Sequence, residues 1–259
     1  MPDTTDYSPT ELLACVASRL LEPGTSVFVG TGLPMIAAML AQRTHAPGLL
    51  IIFEAGGIGP QVPVLPISVG DSRTFYRAVG ASSMHDVMSI SQAGYLDFGF
   101  LGAAQIDRFG NINTTVIGPY ENPTVRLPGS GGANDVGSFC HRTIVVMRQD
   151  SRKFVEKAEF ITSPGYLTGP GARERAGLAR GSGPYRVITQ LGVYGFDEAT
   201  KELQLLALHP GVTLDDVRAH SGYAVRVAEP TAVTQPPTAH DRQILREIDP
   251  TGLVIRRQG

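Results

Sequence analysis

One carboxylate stands out by its setting. Glu54 follows the apolar run ending at Phe53 and precedes Ala55, Gly56 and Gly57 in the stretch IIFEAGGIGP, residues 51–60. A carboxylate delivered by a buried segment onto bare backbone has two uses. It can accept hydrogen bonds from the N–H groups of the turn, as a cap, or act on a substrate as nucleophile or general base. The glycines favour the second use, because a bulky substrate carbonyl reaches the carboxylate only where neighbouring side chains are absent.

Two further turns are rich in glycine. VGTGLP (29–34) carries Gly30 and Gly32, and PGSGGANDVG (128–137) carries Gly129, Gly131 and Gly132. In the second, bare N–H groups stand at what reads as a helix entry, where they can hold an oxyanion or a phosphate. Asn134 fits that site or a plain helix cap equally well, and Asp135 reads as a cap rather than a catalytic acid. VGTGLP starts like a dinucleotide fingerprint, but Met35 stands where the third glycine belongs and no partner acid follows, so NAD is not expected.

Other reactive side chains form no constellation. His45, His85, His141, His209, His220 and His240 lack metal-ligand spacing, and none is assigned to catalysis. Ser130 and Ser138 have no nucleophile elbow around them. Cys15 and Cys140 offer neither a disulfide framework nor a metal motif and read as small buried hydrophobes, so no metal site is predicted. Arg173, Arg175, Arg180 and Arg186 could meet phosphates; a solvated loop is the preferred reading.

The elements that position Glu54 are legible in outline. Ser8-Pro9-Thr10-Glu11 is a capping box, with Leu12, Val16 and Leu20 on one helical stripe up to Pro23-Gly24. TSVFVG (25–30) reads as a buried strand, LPMIAAMLAQRTHA as a helix and LLIIFEAG as a second buried strand. Such a unit crosses over right-handed and pairs its strands in parallel, which puts Gly30 and Glu54 at the carboxyl edge where α/β sheets bind ligands. Farther on, SSMHDVMSISQAG predicts a helix, DFGFLGAAQID one strand with INTTVI as hairpin partner, and RTIVVMRQ another strand. GPYRVITQLGVYGFD and KELQLLALHPG read as two strands joined by EATK, and Thr213 caps a short helix. The expectation is one α/β domain over 1–259, with a proline-rich and helical tail over 230–259 that lies on a neighbour or on the domain's own flank.

Composition limits the partners. Of 259 residues, 42% are hydrophobic and 18% charged, which fits a well-buried globular chain. A net charge of -2 without a long Lys/Arg run argues against nucleic acid or an anionic membrane as partner. With no signal-peptide pattern and no apolar run of roughly 18 residues, a soluble cytoplasmic protein is expected.

In order along the chain, VFVGTGLP, FEAGG, PGSGGAND and LHPGVTLDDVRAHSGY together resemble the beta subunit of class I CoA-transferases over nearly the whole length. AAQIDRFGNIN looks like the glutaconate-type branch more than the 3-oxoacid branch, whose glutamate motif is usually E-N-G, and the nearest likeness is to the steroid ring-cleaving hydrolase branch. The resemblance implies an open, mostly parallel sheet of the NagB/RpiA/CoA-transferase type, flanked by helices and extended by an antiparallel hairpin. It places the catalytic glutamate on Glu54 and the substrate and oxyanion contacts on Gly30, Gly32, Gly56, Gly57, Gly129, Gly131, Gly132 and Asn134. It implies an alpha subunit as partner, in an αβ or α2β2 assembly, and an acyl-CoA substrate with no separate cofactor, coenzyme A being part of the substrate. For the steroid branch the implied reaction is hydrolytic carbon–carbon cleavage of a cyclic β-keto CoA thioester, the last steroid ring. Acyl transfer through a glutamyl-CoA thioester and a non-catalytic partner role are the alternatives.

Overall fold

The computed structural model describes residues 6–255. They cluster into two compact units, one reaching Val87 and resuming at Gln235, the other spanning Met88–Thr234.

In the first unit, α1 (Pro9–Ser18) opens with the expected capping box: Ser8 Oγ accepts from the Glu11 N–H at 3.2 Å, and the Glu11 carboxylate accepts from the Ser8 N–H at 2.7 Å. β1 (Ser26–Val29) is buried along its whole length, because every side chain but that of Ser26 is apolar. α2 (Leu33–Arg43) leads to β2 (Leu50–Phe53), which pairs with β1 in parallel, Val29 opposite Phe53. Gly30 and Glu54 are therefore the next residues on adjacent strands, at one carboxyl edge, as the strand–helix–strand order predicts. β3 (Gly57–Ile58) folds back antiparallel on β2, and β4 (Gly80–Ala81) lies antiparallel on β3. The last helix, Ala239–Ile248, is capped by Thr238 and Asp241 and packs on α1 and α2. Arg19 ties it down, donating to the Gln235 and Pro236 carbonyls at 2.6 and 3.1 Å and to Asp241 at 3.0 Å.

α3 (Met84–Gln92) leads to the second unit, where β5 (Phe98–Leu101) and β6 (Gln105–Asp107) follow. The single strand expected over DFGFLGAAQID is thus two, in different sheets: β5 joins the larger sheet, and β6 pairs antiparallel with β7 (Ile112–Asn113). The small residues Gly102, Ala103 and Ala104 give no side-chain bulk to hold a straight course, and the Ala104 N–H instead bonds the Asn113 carbonyl at 3.2 Å. β8 (Val116–Ile117) and β9 (Val125–Arg126) make a small ribbon that runs into α4 (Ala133–Phe139).

The remainder builds the larger sheet. β10 (Arg142–Val146) lies parallel to β5, while β11 (Phe154–Val155) joins β6. After the one-turn α5 (Ala172–Arg175) come β12 (Gly183–Ile188), β13 (Gly192–Phe196), β14 (Leu203–Leu208), α6 (Leu214–Ala219) and β15 (Arg226–Val233). Within this unit the order is β15-β14-β13-β12-β10-β5, with a parallel β5-β10-β12 core extended by the antiparallel β12-β13-β14 meander. The architecture is α/β, sheets flanked by helices with an antiparallel extension, as expected. GPYRVITQLGVYGFD is two strands rather than one, because Thr189 Oγ1 accepts the Leu191 and Gly192 N–H groups at 3.1 and 3.3 Å and turns the chain back. Thr213 caps α6 as predicted, in a box with Asp216.

The same turn buries His209. Its Nε2 donates to the Thr189 carbonyl and its Nδ1 accepts from Thr234 Oγ1, both at 2.8 Å, which is the neutral tautomer. Burial lowers its pKa below the ordinary value of 6.5. Since the unfolded chain then binds the proton more tightly, this contribution to stability is complete above pH ~6.5 and is lost as pH falls below it. Urea unfolding of the native chain at pH 7.5 and pH 5.5 is expected to show a lower midpoint at the lower pH. His209→Gln, which cannot titrate, is expected to flatten that difference.

Candidate functional site

In the first unit, Glu54 is the residue immediately after β2 and stands half-buried. The Gly56 N–H donates to the Phe53 carbonyl at 2.9 Å, closing a tight turn across Glu54 and Ala55. Gly56 holds φ +114, a conformation that L side chains rarely adopt. Among the described residues the Glu54 carboxylate makes no hydrogen bond or ion pair, so it caps nothing. Of its two uses, capping is ruled out by geometry.

The glycines around it have two different reasons. A Cβ on Gly56 would stand 2.0 Å from the Ser82 carbonyl oxygen, and one on Gly57 would stand 2.1 Å from that of Thr74. Both are bare because the chain's own backbone fills the space, which corrects the reading of these two as clearance for a substrate. The Ser82 N–H returns to the Gly56 carbonyl at 2.9 Å, so the approach to α3 runs directly beside the Glu54 turn. Gly30 and Gly32 differ: a Cβ on either would meet nothing within 4 Å. Gly32, at φ +85, is the N-cap of α2 and supplies no side-chain cap to its first turn. Next to the carboxylate, in the turn that follows the neighbouring strand, lies open space edged by an uncapped helix start, whose N–H groups carry partial positive charge.

In the second unit the PGSGGAND turn leads from β9 into α4, as expected of a helix entry. Its donors are unequal. The Gly129 N–H is already given to the Thr114 carbonyl at 2.8 Å, while Thr114 Oγ1 donates to the Gly129 carbonyl at 2.8 Å. Gly129 is therefore a tether and offers no N–H to an oxyanion, contrary to expectation. The Gly131 and Gly132 N–H groups have no acceptor among the described residues, and Gly131 holds φ +49 with open space where a Cβ would go. Gly132 is the N-cap of α4, so neither Asn134 nor Asp135 is. The Asn134 side chain instead braces the turn, donating from Nδ2 to the Thr162 carbonyl at 2.9 Å, while its N–H goes to Ser130 Oγ at 3.2 Å. The structure gathers Gly30, Gly32, Gly56, Gly57 and Glu54 in the first unit and Gly129, Gly131, Gly132 and Asn134 in the second.

Sequence reasoning missed Arg173. Expected in a solvated loop, it is 2% exposed, and its guanidinium donates to the carbonyls of Pro164, Gly165, Gly137 and Ser138 and to Ser182 Oγ. Gly137 and Ser138 lie in the last turn of α4, where a cation complements the helix dipole. At the other end of α4, Ser163 Oγ donates to the Ala133 carbonyl at 2.8 Å. The loop from Thr162 to Arg173 thus holds α4, and with it the Gly131–Gly132 donors, at both ends. An arginine among glycines and polar residues carries no sequence signal of this burial. Arg175 and Arg180 are exposed, as read. Cys15 and Cys140 are buried, and burial pushes both thiols up to about 12, which leaves them inert as nucleophiles. Among the described residues no group of three His, Cys, Asp or Glu side chains could hold a metal ion, and no helix is long and apolar enough to cross a membrane.

The family model for coenzyme A transferase matches residues 10–220. The chain is 41% identical to the B subunit of 3-oxoadipate CoA-transferase from Pseudomonas knackmussii, over 94% of each chain. It is 37% identical to the B subunit of glutaconate CoA-transferase from Acidaminococcus fermentans, over 96% of each. The crystal structure of that enzyme superposes with a TM-score of 0.91, covering 98% of this chain and 100% of the other at 36% identity. A third relative, the cholesterol ring-cleaving hydrolase IpdB subunit of Rhodococcus jostii, is 30% identical over 85% of this chain and 83% of its own. The Rhodococcus jostii IpdAB crystal structure superposes with a TM-score of 0.81 at 28% identity, covering 97% of this chain and 98% of that one.

Proposed function

Because the chain belongs to the coenzyme A transferase family, we propose that it is the beta subunit of a heteromeric CoA-transferase in which Glu54 carries the acyl and CoA groups in turn. The observation that carries this is the unspent Glu54 carboxylate at the carboxyl end of a parallel strand pair, with open space at Gly30 and Gly32 in the turn that follows the neighbouring strand. A carboxylate with no partner in the chain is available to attack.

The reaction runs in balanced steps. A Glu54 oxygen attacks the thioester carbonyl carbon, the C–S bond breaks, and CoA thiolate leaves behind a mixed anhydride. The thiolate then attacks the Glu54 carbonyl carbon, releasing the first acid as its carboxylate and leaving a glutamyl-CoA thioester. An acceptor carboxylate reverses both steps, so CoA changes acid and Glu54 is regenerated without net use of water. Each tetrahedral oxyanion needs N–H donors that are already oriented. Within the unit that carries Glu54, the uncapped start of α2 is the candidate. The alpha subunit is the expected source of the remaining contacts, as the relatives named as B subunits suggest. Those relatives are named for two dicarboxylic acids, so a dicarboxylic acyl-CoA is the proposed substrate class. No further cofactor is required by these steps.

Hydrolytic opening of a cyclic β-keto CoA thioester, as in steroid catabolism, is the second reading. Its support is the likeness to the ring-cleaving hydrolase, at 30% identity against 41% and 37% for the two transferases. There Glu54 would serve as general base on water or as nucleophile on the ring ketone. One experiment separates the two. The purified complex is given glutaconyl-CoA, treated with borohydride and digested, and the Glu54 peptide is weighed. Transfer predicts Glu54 reduced to the alcohol, together with exchange of CoA onto added acetate. An unmodified Glu54 with no exchange would overturn the transferase reading.

A further inference from the structure

The second unit contains a cavity of about 560 Å³ that none of the residues proposed for acyl transfer lines. Its volume lies within the range of roughly 300–1,000 Å³ found for small-molecule sites. Apolar surface comes from Phe109, Ala158, Ile161 and Leu167, and the wall carries two cations, Arg108 and Lys157, together with the exposed Glu156 and the buried Asp107. Ile161 is 44% exposed, an apolar side chain left open to solvent at the cavity. Lys157 has no hydrogen bond or ion pair among the described residues. Arg108 lies over the Phe109 ring at 5.1 Å, meets the exposed Glu156 at 3.3 Å and reaches Glu202 at 3.9 Å; the Glu156 pair is solvated, and a ligand can displace it at small cost.

The wall is also held in a conformation that costs energy. Leu167 has φ +56, a left-handed conformation that is rare and strained for a side chain of its size. One buried amide keeps it there. Asn111 Oδ1 accepts from the Leu167 and Gly165 N–H groups at 3.0 and 2.9 Å, and Asn111 Nδ2 donates to the Leu167 carbonyl at 2.8 Å. The second Nδ2 proton goes to Asp107 at 2.9 Å, whose carboxylate also accepts the Phe109 and Asn111 N–H groups. Asp107 and Asn111 are 3% and 1% exposed, and burial raises the Asp107 pKa, so the clamp itself has a desolvation cost. Local strain secured by a fully saturated buried network beside a cavity is the pattern of a preorganised binding site.

We propose that this cavity binds an organic anion with an apolar body, a medium-chain carboxylate in chemical class. The body lies against Ile161, Leu167, Ala158 and Phe109, and the carboxylate meets Lys157 and Arg108. Octanoate, octan-1-ol and octylammonium, titrated calorimetrically into the purified complex at low salt, test it. Octanoate is expected to bind about tenfold more tightly than either neutral or cationic analogue, the two cations supplying the difference. Lys157→Glu, an exposed change that leaves the fold intact, is expected to weaken octanoate about tenfold. Leu167→Gly relieves the strain, so it is expected to raise the Tm while weakening octanoate. Absence of octanoate binding, octylammonium binding as tightly as octanoate, or octanoate affinity unchanged in both variants overturns the proposal. Acyl transfer at Glu54 is unaffected by any of these outcomes.

Discussion

Glu54→Gln is expected to lower kcat by roughly four orders of magnitude while leaving the stability of the chain within about 0.5 kcal/mol of the native value. The two halves of that result have one cause. The carboxylate makes no bond to the chain, so its removal orphans no donor, and glutamine keeps its volume in a half-buried place. Catalysis by contrast loses the atom that forms the anhydride, because an amide oxygen is a poor nucleophile and its acyl product would not turn over. Glu54→Asp retains the nucleophile but withdraws it by about one methylene. A displacement near 1 Å costs about a hundredfold, so this variant belongs between the native enzyme and the glutamine variant. Steady-state kinetics of the complex and urea unfolding of each variant measure the two quantities. Unchanged turnover in Glu54→Gln would take the residue out of the mechanism, leaving a partner role for the chain.

The place of Glu54 was readable because everything that sets it is local. Two apolar runs flanking an amphipathic one give strand, helix and strand, and the parallel pairing of the two strands then fixes Gly30 and Glu54 at one edge. What the neighbouring glycines do depends on residues far along the chain. Gly56 and Gly57 are bare because of Ser82 and Thr74, and the Gly129 N–H is consumed by Thr114; none of these pairings leaves a mark on the glycine itself. The same limit divided DFGFLGAAQID between two sheets, since sheet membership is decided by partner strands such as β7 and β10 rather than by the run of apolar residues. The strain at Leu167 is invisible for a related reason: the Asn111 amide that enforces it stands 56 residues away.

Arg173 is the extreme case of a role set by distant acceptors, and its removal is expected to be the most damaging single change to the fold. Arg173→Met keeps much of the side-chain volume and avoids the cost of burying a cation, which by itself would favour the variant. Against that gain stand the carbonyls of Pro164, Gly165, Gly137 and Ser138, each of which accepts from the guanidinium at 2.8–3.3 Å. These are neutral groups fixed in the backbone, so they cannot leave with the charge, and each buried orphan costs ~1–3 kcal/mol. Four such losses outweigh one avoided desolvation, and a net destabilisation of about 3–5 kcal/mol is expected from urea unfolding. Arg173→Lys restores a charge but only three donors on a single nitrogen, which cannot span acceptors arranged around a planar fork, so it recovers only part of the loss. Because two of the acceptors close the last turn of α4, the lysine variant is also expected to exchange the amide hydrogens of residues 133–140 faster than the native chain while more distant amides, such as those of α1, stay protected. Equal protection of α4 in both proteins would mean that Ser163 and Asn134 alone hold the helix and that Arg173 secures only the loop.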